Sequence, residues 1–147
     1  MSLFPQLALS TLITGITISL HLIGLAGLMR LIRGHRRRAP SPDAILHDVL
    51  GIAGAAFGLF VLHAAEIWLY AALYALSGTL GSFEEALYFS TSTYTTIGYG
   101  DVVLPRGWRL LGAIEGATGL ILLGWSTAFF VSVVGRIRML ELDAGDR

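Results

Sequence analysis

The sequence has no cysteine and no lysine, and charged residues are scarce. The absence of cysteine excludes disulfides, thiolate nucleophiles and cysteine-based zinc sites. Charged residues make up 14% of the 147 residues, against roughly 25% in soluble domains, while hydrophobic residues make up 54%. Because arginines and acidic residues balance at a net charge of zero, no overall field favours nucleic acid as a partner. We therefore expect a membrane protein with lipid contacts.

The first stretch without charged residues runs from Met1 to Met29. It is longer than the ~20 apolar residues that cross a bilayer, and it lacks the charged start of a signal peptide. We predict an uncleaved transmembrane helix over 1–33. A basic loop over 34–43 follows, and its APSPD sequence at 39–43 indicates a turn.

Two longer apolar stretches follow, each interrupted by one acidic residue. We predict an outer helix over 44–76, which contains Glu66, and an inner helix over 107–137, which contains Glu115. Each is long enough to span a bilayer. The remaining tail over 139–147 is too short to form a domain.

A short helix is expected between these two spanning helices. Ser82 followed by Glu85 has the capping-box pattern, in which the serine side chain accepts from the N–H three residues later. The helix extends over 82–95, until glycines end it, and is too short to cross a bilayer. We therefore expect a re-entrant segment, which is tolerated only where protein or water surrounds it.

The segment after this short helix reads Thr-Ile-Gly-Tyr-Gly-Asp over 96–101 and is called the TIGYGD loop below. It resembles the filter signature of the potassium-channel pore family, and the resemblance extends over about 49–138. The resemblance implies an all-α membrane protein in which four identical chains form one pore that conducts K+ passively. It does not cover the first helix, which we expect to pack outside the pore and to stabilise the assembly.

A dehydrated cation needs oxygen atoms in place of its water shell. Successive carbonyls can aim at one axis only if the backbone visits conformations that side chains disfavour. Gly98 and Gly100 permit these, because glycine reaches positive φ without a Cβ penalty. The expected K+ ligands are the carbonyls of Thr96, Ile97, Gly98 and Tyr99, together with the Thr96 hydroxyl.

The same resemblance implies supporting roles around the filter. Asp101 is expected at the outer mouth, and Tyr88 and Phe89 are expected in an aromatic cuff around the filter. In some relatives an acidic residue stands at the position of Ser92 and shares a proton with the aspartate. Ser92 cannot take part in such a pair, although it remains a candidate for filter support.

Ionisable residues inside spanning helices usually face the protein interior and mark function. We expect Glu115 to support the filter from a buried position, whereas for Glu66 such a role and simple exposure at the outer interface both stay open. His63, one turn before Glu66, either pairs with it or is a solitary hydrogen-bonded histidine; His21 is expected to be solitary. The hydroxyls expected near the two glutamates are those of Ser90, Ser92 and Thr95.

Gly119 lies where the inner helix of the family often carries a hinge glycine, so bending there is one way to open the pore. Helix packing is the alternative for glycines in these helices. Gly54-x-x-x-Gly58 and Gly112-x-x-x-Gly116 have the small-residue spacing of close helix contacts.

The arginines predict an orientation without reference to the motif. If the short helix opens outward, the arginines of 30–38 and of 136–147 lie in the cytoplasm, and only Arg106 and Arg109 lie outside. The N-terminus is then outside and the C-terminus cytoplasmic. Because the 30–38 arginines stand at and beyond a helix end, they predict topology and anionic-lipid contact and not a voltage sensor. The chain is small, its Lys and Arg residues are all arginine, and no signal peptide is predicted. We therefore expect it in a bacterial inner membrane.

Three other functions compete with a selective channel. A non-selective cation channel would be favoured by a non-glycine residue at the filter glycines, and none is present. A modulatory subunit of another pore would be favoured if the protein alone conducts nothing. An enzyme lacks support, because the sequence displays no nucleophile–base pair and no metal-ligand set, and no cofactor other than K+ in the filter is expected. Membrane tension, pH, lipids and constitutive gating all stay open.

Overall fold

The computed structural model describes residues 2–37 and 44–145. This part of the chain is helical, with loops only at the connections. The elements are α1 (Leu3–Arg37), α2 (Ala44–Leu76), α3 (Phe83–Tyr94), a 3-10 turn (Arg106–Trp108) and α4 (Arg109–Gly145).

Three of the helices are long and apolar enough to cross a membrane. The apolar spans are Leu3–Gly34 in α1, Val49–Leu76 in α2 and Arg106–Gly135, which covers the 3-10 turn and most of α4. By contrast, α3 has 12 residues and is about 18 Å long, well short of the ~30 Å hydrocarbon core. The expectation of three spanning helices is therefore confirmed by length and composition.

The start of α3 has the geometry that its sequence indicated. Ser82 is the N-cap, and its side chain accepts from the Glu85 N–H at 3.1 Å. The Glu85 carboxylate accepts from the Gly81 N–H at 2.9 Å, one residue before the position that the capping box specifies. Thr95 is the C-cap, so the helix ends immediately before the TIGYGD loop.

Two helices extend further than the sequence patterns indicated. The predicted end of the first helix was 33, and α1 continues to Arg37; the predicted end of the inner helix was 137, and α4 continues to Gly145. The α4 extension consists mainly of strong helix formers such as Arg, Met, Leu, Glu and Ala, so nothing stops it before the glycine. The rest of the predicted basic loop, 38–43, and the last two residues of the tail lie outside the described residues.

A buried aromatic cluster fixes α3 between α2 and α4. The Tyr74 ring of α2 meets the Phe89 ring of α3 edge to face, with centroids 5.4 Å apart, and meets the Trp108 ring at 6.4 Å. Leu104 and Leu111 belong to the same core. An edge-to-face aromatic pair adds to the stabilisation that apolar burial provides. The pair of Tyr74 and Phe89 therefore helps to hold α3 against α2.

Three glycines of α4 let α3 approach closely. A Cβ added at Gly112 would lie 3.0 Å from Leu104 and 3.2 Å from Phe89, and one added at Gly116 would lie 3.3 Å from the Thr93 carbonyl oxygen. At Gly119 the distance to the Tyr94 carbonyl oxygen would be only 2.2 Å. Close packing accounts for these glycines, while the hinge role of Gly119 stays a prediction.

Candidate functional site

The backbone of the TIGYGD loop alternates in handedness. Thr96, Gly98 and Gly100 have φ of 63°, 54° and 81°, whereas Ile97 and Tyr99 are not among the positive-φ residues. In an ordinary extended strand, successive residues face opposite sides. Reversing the handedness at every second residue is the backbone pattern that brings successive carbonyls to one side.

Thr96 makes this conformation costly. Among the described residues it is the non-glycine with positive φ, and a left-handed conformation costs an L-residue about 1–2 kcal/mol. Such strain persists only where the surroundings hold it, and it clusters at functional sites. Here the Thr96 N–H donates to the Thr93 carbonyl at 3.0 Å, and the Gly98 N–H donates to the Ser92 carbonyl at 2.9 Å.

Ser92 therefore contacts the loop through its main chain. Its hydroxyl donates to the Phe89 carbonyl within α3 at 3.0 Å and does not reach the loop. The sequence suggested Ser92 as a supporting residue because of its side-chain position. The structure shows that the contact belongs to the carbonyl, which any residue at 92 would carry.

Asp101 and Tyr88 connect the end of the loop to α3. The Tyr88 hydroxyl donates to Asp101 Oδ2 at 2.7 Å, and the Val102 N–H donates to Oδ1 at 3.0 Å. The Tyr88 hydrogen bond holds the pKa of the Asp101 carboxyl below its ordinary value. Asp101 is exposed and ionised at neutral pH, so it adds a negative charge at this end of the loop.

Phe89 differs from its neighbour Tyr88. It is buried in the aromatic cluster with Tyr74, whereas Tyr88 is exposed and bonded to Asp101. Successive helix residues point about 100° apart, so one faces the loop while the next faces the core. Of the two residues expected in the aromatic cuff, Tyr88 contacts the loop and Phe89 packs in the core.

Glu115 is buried in the middle of the helices that surround α3. The Tyr74 hydroxyl donates to its Oε2 at 2.7 Å, and the Ser90 hydroxyl donates to its Oε1. Ser90 also lies 3.0 Å from the Ile67 carbonyl. The buried position and the Ser90 contact agree with the sequence expectation, and the carboxyl joins α2, α3 and α4.

Glu66 is also fully buried, so simple exposure at the interface was the wrong alternative. Its Oε2 accepts from the Tyr94 hydroxyl and lies 3.0 Å from His63 Nδ1. Its Oε1 lies 2.8 Å from His21 Nδ1. The pairing of His63 with Glu66 is present, and the expectation of a solitary His21 was wrong. None of the hydroxyls expected near Glu66 is its partner.

The sequence held one signal that points to His21. In α1 the polar residues Ser10, Thr14, Thr17 and His21 recur every three or four residues, which places them on one helix face. Ser10, Thr17 and His21 are fully buried, and Thr14 Oγ1 lies 3.4 Å from Thr118 Oγ1 of α4. A polar stripe on a spanning helix indicates the face that packs against protein.

Comparison with known proteins assigns the class of the molecule. A family model described as "Ion channel" matches residues 52–136, which is more than half of the chain. No curated protein and no solved structure matched the chain. With three helices long and apolar enough to span a bilayer, the chain is an integral membrane protein. It belongs to this ion-channel family, which is of the two-transmembrane type and includes potassium channels.

Proposed function

We propose that this chain is one subunit of a homotetrameric, K+-selective channel and that the TIGYGD loop is its selectivity filter. The observation that carries the proposal is the alternating handedness at Thr96, Gly98 and Gly100. This pattern suits a stack of carbonyl oxygens that replaces the water shell of a K+ ion. Membership of an ion-channel family and the position of the loop between two spanning helices support it.

Exposed side chains in the loop support assembly. Ile97 is 54% exposed and Tyr99 is 71% exposed within one chain, although both are large and mostly apolar. Assembly with neighbouring chains would cover these two side chains. One chain supplies one loop, a ring around an ion needs several, and the resemblance to potassium channels sets the number at four.

Two charges favour a cation along the proposed path. The C-terminal end of α3, at Tyr94, carries the negative end of the helix dipole and directly precedes the loop. Asp101 adds a carboxylate at the other end of the loop. In the proposed orientation α3 is re-entrant, Asp101 faces the outside, the N-terminus is outside, the C-terminus is cytoplasmic, and the membrane is a bacterial inner membrane.

The experiment that tests this function is ion flux into liposomes that contain the pure protein, with K+ and Na+ gradients compared. Gly98→Ala is the decisive variant, because the residue has positive φ, which a Cβ disfavours, while no atom of the same chain lies within 4 Å of the added Cβ. Gly27→Ala is the matched control, since it also has open space but no positive φ.

We expect K+ flux without Na+ flux, with most of the K+ flux lost in Gly98→Ala and retained in Gly27→Ala. Equal K+ and Na+ fluxes would replace the proposal with a non-selective pore. Absence of flux from protein shown to be tetrameric, under tension and across pH 5–8, would contradict the proposed function.

A further inference from the structure

Three potential metal ligands meet at one buried point between α1 and α2. His63 and Glu66 are one turn apart on α2, which places them on the same helix face, and His21 reaches them from α1. The ligand atoms of the three residues all lie within 4.8 Å of one another. His21 and Glu66 are fully buried, and the His63 side chain is 13% exposed.

We propose that His21, His63 and Glu66 bind a divalent transition-metal ion of the Zn2+ type. Two imidazole nitrogens and one carboxylate oxygen form a donor set that zinc accepts in proteins, with further positions open to solvent or another group. Neighbouring ligands of a tetrahedral zinc are about 3.3 Å apart when the bonds are about 2.0–2.1 Å. In the structure His21 Nδ1 lies 2.8 Å from Oε1 of Glu66 and His63 Nδ1 lies 3.0 Å from Oε2. Both contacts have hydrogen-bond length, so the two imidazoles would move apart by a few tenths of an ångström to admit the ion, and the carboxylate can offer it either oxygen.

The charge of the cluster supports a cation. Glu66 is a fully buried carboxyl inside a membrane span, where an ionised group is costly without compensation. Within the described part of the chain, its ion-pair partners are the two histidines, which carry charge only if they are protonated. A divalent ion would compensate the carboxylate and would use both imidazoles without protonating them.

Neighbouring residues could orient the ligands. A histidine that binds metal through Nδ1 carries its proton on Nε2, and that N–H usually donates to a nearby acceptor. His63 Nε2 lies 2.9 Å from the Ser126 hydroxyl of α4, which can accept it. The Tyr94 hydroxyl donates to the Glu66 carboxylate. Ser126 and Tyr94 would then be positioning residues for the site.

The structure also shows a cavity next to the cluster. A cavity of about 340 Å³ lies between α2 and α4, and His63 and Ser126 line it together with apolar residues such as Phe60 and Leu123. His63 is the partly exposed member of the cluster. His63 is therefore the member of the cluster that can be reached from this cavity.

Metal binding to the full chain, purified without a polyhistidine tag and stripped with a chelator, tests the site. Co2+ is the probe, because its visible absorption reports coordination, and Zn2+ is then added in competition. We expect one Co2+ per chain, displaced by Zn2+, and at least tenfold weaker binding in the His21→Gln/His63→Gln double variant. His47→Gln, near the N-terminal end of α2, is the matched control and should bind as the original chain does.

Glu66→Gln provides a second variant, because it keeps the shape and an acceptor oxygen while removing the carboxylate. It should also weaken Co2+ binding while the helical circular dichroism stays unchanged. Absence of Co2+ binding by the original chain, or equal binding by the double variant, would overturn the proposal and leave a hydrogen-bonded cluster. The measurement involves no ion flux, so its outcome is separate from that of the proposed channel function.

Discussion

Two glutamates are buried beside α3, and their surroundings differ. In the described part of the chain, the polar partners of Glu115 of α4 are the hydroxyls of Tyr74 and Ser90. Glu66 of α2 is held by one hydroxyl, that of Tyr94, and by two histidines. Hydroxyl donors can satisfy a carboxyl but bring no basic nitrogen. The Glu115 region is therefore suited to structural support, and the Glu66 region offers additional chemistry.

The two regions also contact different parts of the protein. Glu115 meets the middle of α3, whereas the Glu66 region reaches its last residue, Tyr94, two residues before the strained Thr96. His21 extends the Glu66 region to α1, which lies outside the part of the chain matched by the channel family. A substitution near Glu66 therefore acts on a residue closer to the TIGYGD loop than a substitution near Glu115 does.

The largest effect is expected from Gly119→Ala, which alters the Glu66 region through Tyr94. The new Cβ would lie 2.2 Å from the Tyr94 carbonyl oxygen, so the end of α3 must move, at a cost of about 1–3 kcal/mol. We expect a lower free energy of unfolding and loss of the proposed K+ flux. Gly124→Ala, with nothing within 4 Å, is the control on the same helix. Unchanged stability and flux in Gly119→Ala would show that α3 is not held there.

A pair of tyrosine variants compares the two glutamates directly. Tyr74→Phe removes a donor from Glu115 and leaves it with Ser90, whereas Tyr94→Phe leaves Glu66 with both histidines. Because a poorly satisfied buried carboxyl is costly, we expect Tyr74→Phe to lower the free energy of unfolding by about 1–3 kcal/mol and Tyr94→Phe to lower it by less. Denaturant unfolding of both variants in the same detergent measures the difference. A larger decrease in the free energy of unfolding for Tyr94→Phe than for Tyr74→Phe would contradict this prediction.

The smallest effect is expected at Asp101, an exposed carboxylate that contrasts with the two buried ones. Its folded pKa lies below the ordinary value of 3.8 because the Tyr88 hydroxyl donates to it. The stabilising contribution of this pair is present above that ordinary value and is lost as pH falls through the lower folded pKa. Tyr88→Phe should raise the Asp101 pKa, which NMR titration of the carboxyl carbon can measure. An unchanged pKa would mean that the hydrogen bond has no influence in solution.

The sequence predicted those features that depend on neighbours along the chain. Helix α2 begins and ends where its pattern indicated, and the Ser82 cap of α3 follows from local hydrogen-bonding rules. Positive φ at Gly98 and Gly100 follows in the same way from the absence of a Cβ.

Features that depend on distant packing were harder to predict. The contact between His21 and Glu66 joins residues 45 positions apart, and it depends on how α1 rotates against α2. The roles of Tyr74 and Tyr94 as donors have the same origin, since a tyrosine in an apolar helix is equally compatible with simple core packing. The polar stripe of α1 indicated a packed face, but not the carboxylate opposite it.

The hydrogen bond from the Gly98 N–H to the Ser92 carbonyl has a consequence for mutational tolerance. Both atoms belong to the main chain, so replacing the side chain at 92 does not delete the bond, and at 98 only proline would remove the donor. A new side chain at 92 therefore keeps this anchor of the loop as long as it fits the buried site.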